Sequence, residues 1–117
     1  MEKQEVLAAL AALAQESRLD IYRLLVQAGP EGMPAGHIGE RLGLPSATLA
    51  FHLKELKHAG LATFTRNGRS LIYAAVYPTM NGLLDYLTEN CCGRPSTRST
   101  ICAPAKPTAQ RVKQRSI

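Results

Sequence analysis

Cys91, Cys92 and Cys102 are the side chains in this 117-residue sequence best suited to chemistry of their own. Thiolates are soft ligands and select soft, thiophilic centres. With no histidine near them, three sulfurs match a three-coordinate centre better than structural zinc, which takes four ligands. Consecutive Cα atoms are about 3.8 Å apart, so Cys91 and Cys92 can converge on one centre. Cys102 must return over the nine residues between it and Cys92, a loop whose closure costs only a few kcal/mol. The C-terminal end of a helix disfavours thiolates at Cys91 and Cys92, whereas Arg94 and Arg98 favour them. An odd cysteine count in a chain with an acidic, polar start argues against a disulfide framework. Two other readings stay open here: a thiol redox switch, or small helix-end residues with no reactivity in use.

A second set of residues points to a polyanion. The net charge of +5 is unevenly spread. Residues 1–40 carry three Lys/Arg (Lys3, Arg18, Arg23) against six acids. Residues 41–69 carry five (Arg41, Lys54, Lys57, Arg66, Arg69) against Glu55 alone. Residues 70–92 hold only Asp85 and Glu89, and residues 93–117 hold six Lys/Arg and no acid. The local basic segment is therefore better evidence for nucleic-acid binding than the overall pI of about 9.4.

The elements that would position these groups follow from periodicity and punctuation. Val6, Leu10 and Leu13 stand at helical spacing within residues 3–15. A second helix is expected over 17–28, with Ser17 as N-cap, Ile21, Leu24 and Leu25 inward, and Gly29-Pro30 as its stop. Residues 29–33 read as a loop. Pro34 suits the first turn of a third helix reaching Leu42, with Ile38 and Leu42 inward. Gly43-Leu44-Pro45 breaks it, and a fourth helix runs from Ser46 to about Ala59 over a Leu49, Leu53, Leu56 stripe. Two short helices around a Gly-containing turn are the helix–turn–helix pattern. Strand-prone runs 61–65 and 70–76 then flank Arg66-Asn67-Gly68-Arg69, an expected hairpin turning on Asn-Gly with both turn residues at positive φ. Residues 78–90 read as a last helix with Leu83, Leu84 and Leu87. The expected fold is mostly α with a β-hairpin: a winged helix–turn–helix domain over 1–92. Residues 93–117 read as a basic, Pro/Ser/Thr-rich flexible tail that contributes a cysteine ligand.

On the fourth helix, Ala47, Phe51, Lys54 and His58 share the face opposite the leucines, with Ala50 and Lys57 beside them. The N-terminal residues Ser46, Ala47 and Thr48 would meet base edges, and Phe51 would pack on thymine methyl groups. Lys54, Lys57, Arg66 and Arg69 would meet phosphate. His52 falls nearer the core and reads as structural.

These residues carry a family resemblance. Ala-Leu-Ala-Gln-Glu-Ser-Arg-Leu-Asp-Ile-Tyr-Arg-Leu-Leu (12–25) resembles the opening of the ArsR/SmtB metal-responsive repressors. The run from Phe51 to Leu61, then Arg66-Asn67-Gly68-Arg69 and Tyr73, is similar to that family's recognition helix and wing. The resemblance covers about residues 6–92. It implies a homodimer through the first and last helices, bound to operator DNA and released by an inducer. The Cys-x-Cys of many arsenic- and cadmium-sensing members aligns with Pro34 and Gly36, so that site is absent. The Asp and His pairs of zinc-sensing members reduce to Asp85, and serines common in the recognition helix are replaced by Pro45 and Ala50. What remains, Cys91, Cys92 and Cys102, is similar to arsenic-responsive members that bind the metalloid at the C-terminal end of the last helix. The implied inducer is trivalent arsenic or antimony, and no permanent cofactor is implied.

The sequence thus reads as a cytoplasmic, arsenite- or antimonite-responsive repressor. Its rivals are a redox-sensing repressor of the same fold and a constitutive architectural nucleic-acid binder using the basic tail. No nucleophile motif, Gly-rich phosphate loop or paired-carboxylate site supports an enzyme. No apolar run approaches the roughly 20 residues of a membrane span.

Overall fold

Helix α1 (Lys3–Leu13) opens the computed structural model, which describes residues 1–93. A capping box between Glu2 and Glu5 starts it, with Glu2 N–H donating to Glu5 Oε1 at 2.9 Å. Its core face is Val6, Ala9 and Ala12. Leu10, expected inward, is exposed with Leu7 beside it, and Leu13 is only half-buried. The small residues Ala9 and Ala12 take the core face, which leaves Leu7 and Leu10 on the outer side.

Helix α2 (Glu16–Ala28) is capped by Gln15, whose Oε1 accepts from Arg18 N–H at 2.9 Å. The expected cap, Ser17, already lies inside the helix. Ile21, Leu24 and Leu25 are buried as expected, and Tyr22 joins them. Helix α3 (Ala35–Leu42) buries Ile38 and ends at Gly43 in the left-handed region. Leu42 is only half-buried. Helix α4 (Ser46–His58) buries Leu49, His52, Leu53 and Leu56.

The stretch expected as a loop and helix start contains a strand. Met33–Pro34 form β1, paired antiparallel with Tyr73 and Ile72 of β3 (Ser70–Ala75). Strand β2 (Ala62–Asn67) pairs with the other side of β3, giving the order β1-β3-β2. Pro34 has no N–H to donate and sits in the two-residue edge strand, where that loss is tolerated. Helix α3 therefore begins one residue after Pro34.

The chain packs as two units, Met1–Leu83 and Leu84–Ile117. The first contains α1–α4, the sheet and most of α5 (Tyr77–Leu87), with Tyr77 Oη donating to Val26 O at 3.0 Å. The described part of the second holds the end of α5, where Leu84 and Leu87 are exposed, and a short 3-10 turn, Cys91–Gly93. Cys102 and the rest of the expected tail lie outside the described residues. No helix among the described residues is long and apolar enough to cross a membrane.

Candidate nucleic-acid interface

The buried leucines of α4 decide what its other side presents. Leu49, Leu53 and Leu56 are 4%, 2% and 0% exposed, which fixes the helix's rotation about its axis. Ser46, Ala47, Thr48, Ala50, Phe51, Lys54, Lys57 and His58 are all exposed in consequence. Phe51 is 55% exposed, an unusual state for its type in a helix this well anchored. The sequence-expected outer face is thus brought together on one surface.

His52 is 7% exposed and turns inward, as expected of a structural histidine. Its Nδ1 lies 3.3 Å from Arg18 Nη1, and the Arg18 Nε donates to Ala12 O at 2.8 Å. Arginine has only donors, so Nδ1 accepts and the imidazole proton sits on Nε2. This clamp ties α4 to α2 and to the end of α1. Sequence reasoning missed Arg18 because its role depends on a contact 34 residues away.

A Schellman ending aims the chain from α4 into the wing. Gly60 N–H donates to Lys57 O at 3.0 Å, and Leu61 N–H donates to Leu56 O at 2.9 Å. Gly60 takes φ of +78°, and Leu56 and Leu61 are both fully buried. This is the full hydrogen-bonding motif, with buried leucines at the two positions where it favours apolar residues.

The hairpin turns one residue later than expected. Asn67 pairs with Ser70 inside the ladder, so Gly68 and Arg69 form the two-residue tip. Gly68 has φ of +66°, while neither Asn67 nor Arg69 is among the positive-φ residues. Positive φ at the first turn residue alone is the pattern of a II′ turn with Gly in that place, not the expected I′ turn. Arg69 is therefore at the tip, and Arg66, paired with Leu71, is on the strand. Both are exposed.

Two further residues join the site. Phe64 of β2 faces Tyr73 of β3 across the ladder, with ring centroids 5.4 Å apart. Lys57 of α4, expected at phosphate, holds its Nζ 5.2 Å from the Phe64 ring centroid.

In the second unit, the sulfur atoms of Cys91 and Cys92 are 3.1 Å apart. Cys91 is half-buried and Cys92 exposed. Asn90 and Cys92 take φ of 56° and 63°, bending the backbone sharply around the pair. No cluster of three or more His, Cys, Asp or Glu able to hold a metal occurs among the described residues. The expected third ligand, Cys102, is outside them.

Comparison with known proteins agrees with this geometry. A family described as a helix-turn-helix domain matches residues 13–63, the stretch from the end of α1 into β2. An ArsR-like transcriptional regulator from Rhodococcus sp. RHA1 superposes with a TM-score of 0.64 at 28% identity, over 72% of this chain and 76% of that one. The chain has the winged helix–turn–helix fold of ArsR-like regulators. In this winged helix–turn–helix, α3 and α4 form the helix pair and the β2–β3 hairpin is the wing. The HTH-type transcriptional regulator NmtR of Mycobacterium tuberculosis is 33% identical over 81 residues, 69% of this chain and 65% of that protein. The uncharacterized HTH-type transcriptional regulator YceK of Bacillus subtilis is 37% identical over 59 residues, 50% of this chain and 58% of that protein. The matched part thus spans less than two thirds of either curated relative. These likenesses support the ArsR/SmtB resemblance read from the sequence.

Proposed function

We propose that the chain is a transcriptional repressor of the ArsR/SmtB family that binds operator DNA as a homodimer and leaves it when trivalent arsenic or antimony binds its cysteines. The observation that carries the DNA-binding half is Phe51, 55% exposed between the polar start of α4 and its cations, next to an arginine-tipped wing. In this reading Ser46, Ala47, Thr48 and Phe51 face base edges, and Lys54, Arg66 and Arg69 meet phosphate. In this reading each unit brings its own exposed leucines to dimerisation, Leu7 and Leu10 of α1 in the first and Leu84 and Leu87 of α5 in the second.

The inducer half rests on Cys91, Cys92 and Cys102. Cys92 is disulfide-bonded in this structure, and once that bond is reduced its sulfur, 3.1 Å from that of Cys91, is close enough for the two to bind one small centre together. Arsenous acid exchanges three hydroxyls for three thiols and yields three waters, with no net proton release near neutral pH. A divalent metal ion would instead displace thiol protons.

The test is DNA binding by reduced protein titrated with arsenite, antimonite, cadmium and zinc. Release by arsenite or antimonite is expected, together with loss of that response in the triple Cys→Ser protein. A triple variant still released by arsenite overturns the inducer assignment. The same sulfur proximity favours one alternative, oxidation as the signal; release by oxidant and not by metalloid under full reduction would select it.

A further inference from the structure

The cation nearest the wing does not point away from the protein. Lys57 Nζ lies 5.2 Å from the centroid of Phe64, inside the roughly 6 Å range over which a ring's electron-rich face attracts an ammonium. Phe64 is backed by Tyr73, its ladder partner, with centroids 5.4 Å apart and planes at 44°. A single stack therefore runs from α4 through β2 to β3. Side chains alternate along a strand, so Ala62, Phe64 and Arg66 share one face of β2. Burial agrees: Ala62 is buried and Phe64 half-buried, whereas Thr63 and Thr65 are exposed. Whatever fixes Phe64 against α4 thus fixes the strand that aims Arg66.

The Schellman ending holds the start of β2 through Leu56 and Leu61. Lys57 with Phe64 supplies a second fastening, three residues further along the wing. Two points set an angle where one leaves a hinge.

We infer that Lys57 is a positioning residue for the wing: its ammonium seats on Phe64 and fixes the angle between α4 and the hairpin, and so governs the Arg66 and Arg69 contacts instead of gripping phosphate itself. This inference rests on the DNA-binding reading above. It assigns Lys57 and Phe64 a joint role that neither residue has alone.

The experiment uses the intact reduced chain and a duplex recovered with it from a random-sequence pool. Without DNA, the Lys57 ε-methylene protons are expected to be shifted upfield by the ring current, and Phe64→Leu should relieve that shift. With DNA, Lys57→Gln should weaken binding about two- to fivefold per protomer, the range of one exposed cation–π contact. Lys57→Arg should restore it, since a guanidinium also seats on a ring. The log–log salt slope should be unchanged by Lys57→Gln. In an Arg66→Ala, Arg69→Ala background, Lys57→Gln should have no further effect.

A slope shallower by about 0.9 for each Lys57 removed would show that it holds phosphate directly and overturn the inference. So would a Lys57→Gln loss that persists without the wing arginines, or an absent ring-current shift. Lys57→Gln is a surface change, so the test stands even if Phe64→Leu folds poorly. Failure of the DNA-binding reading is separately visible: the intact chain would then recover no duplex while the ring-current shift remains.

Discussion

Phe51 and Tyr22 are two aromatic side chains in opposite predicaments, and each makes a measurable claim. Phe51 lies in the open, where it costs hydrophobic energy unless something covers it. If that cover is a thymine methyl, Phe51→Ala should reduce discrimination between selected and random duplex by roughly 1–3 kcal/mol and affect non-specific binding less. Competition titrations check this, and equal loss on both DNAs would assign Phe51 to packing. Tyr22 is 6% exposed, and its Oη has no hydrogen-bond partner among the described residues. Burial, with Tyr77 nearby, raises its pKa above the ordinary 10.0. The unfolded chain therefore gives up this proton first, so the contribution is intact below pH 10 and is lost as pH rises beyond it. Tyr22→Phe should leave stability at pH 7 unchanged or raise it by up to about 1 kcal/mol, since it removes an unpaired buried hydroxyl. It should also lessen the alkaline loss. Urea unfolding of both proteins at pH 7 and pH 10.5 measures both effects, and a Tyr22→Phe protein clearly weaker at pH 7 would mean that the hydroxyl has a partner.

At the scale of elements, the junction between α4 and β2 matters most, because it relates the second helix of the helix–turn–helix to the wing. Gly60 is in the left-handed region, and a Cβ there would find nothing nearer than Thr79 Oγ1 at 4.0 Å. Backbone strain alone should then set the cost of Gly60→Ala, about 1 kcal/mol. A melting temperature lower by about 4–8 °C is expected for a domain of this size. An unchanged midpoint would show that the ending adapts without glycine. Much of this level was legible in the sequence. The Leu49, Leu53, Leu56 stripe gave the rotation of α4, and with it the outer face, because burial of three leucines overrides any preference of the exposed residues. The turn was not, since Asn67-Gly68 and Gly68-Arg69 both offer a glycine at the tip. The two choices shift the strand register by two residues, which leaves the same side chains on the same face and so escapes the alternation pattern. It does change partners: Phe64 meets Tyr73 only in the later register. The Lys57 contact was hidden by the same ambiguity. On α1, leucines outweigh alanines in any periodicity count, yet Ala9 and Ala12 face inward because close helix packing rewards small side chains. Strand β1 is two residues long and carries a proline, too little for a pattern.

For the whole molecule, charge and symmetry combine in one observable. Lys54, Arg66 and Arg69 are all exposed on α4 and the wing, and on the proposed reading each protomer directs these three cations at phosphate. The exposed Leu7, Leu10, Leu84 and Leu87 give each protomer apolar surface to lose on pairing. A dimer engaging six cations should show a log–log dependence of DNA affinity on salt with a slope of about −5. A single protomer would give about −3, and a dimer whose Lys57 also gripped phosphate about −7. The six Lys/Arg beyond residue 92 act on the same quantity, because any that reach DNA add their own counterion release. A slope well beyond about −7 would mean that the basic C-terminal segment supplies much of the affinity, as the architectural-binder reading requires. Light scattering at the binding concentration fixes the protomer count independently, so stoichiometry and contact number need not be inferred from one measurement. A dimer with a slope near −5 is the expected pair of results. A monomer bound one-to-one to DNA with a slope near −3 would remove the dimer while leaving the interface on α4 and the wing intact.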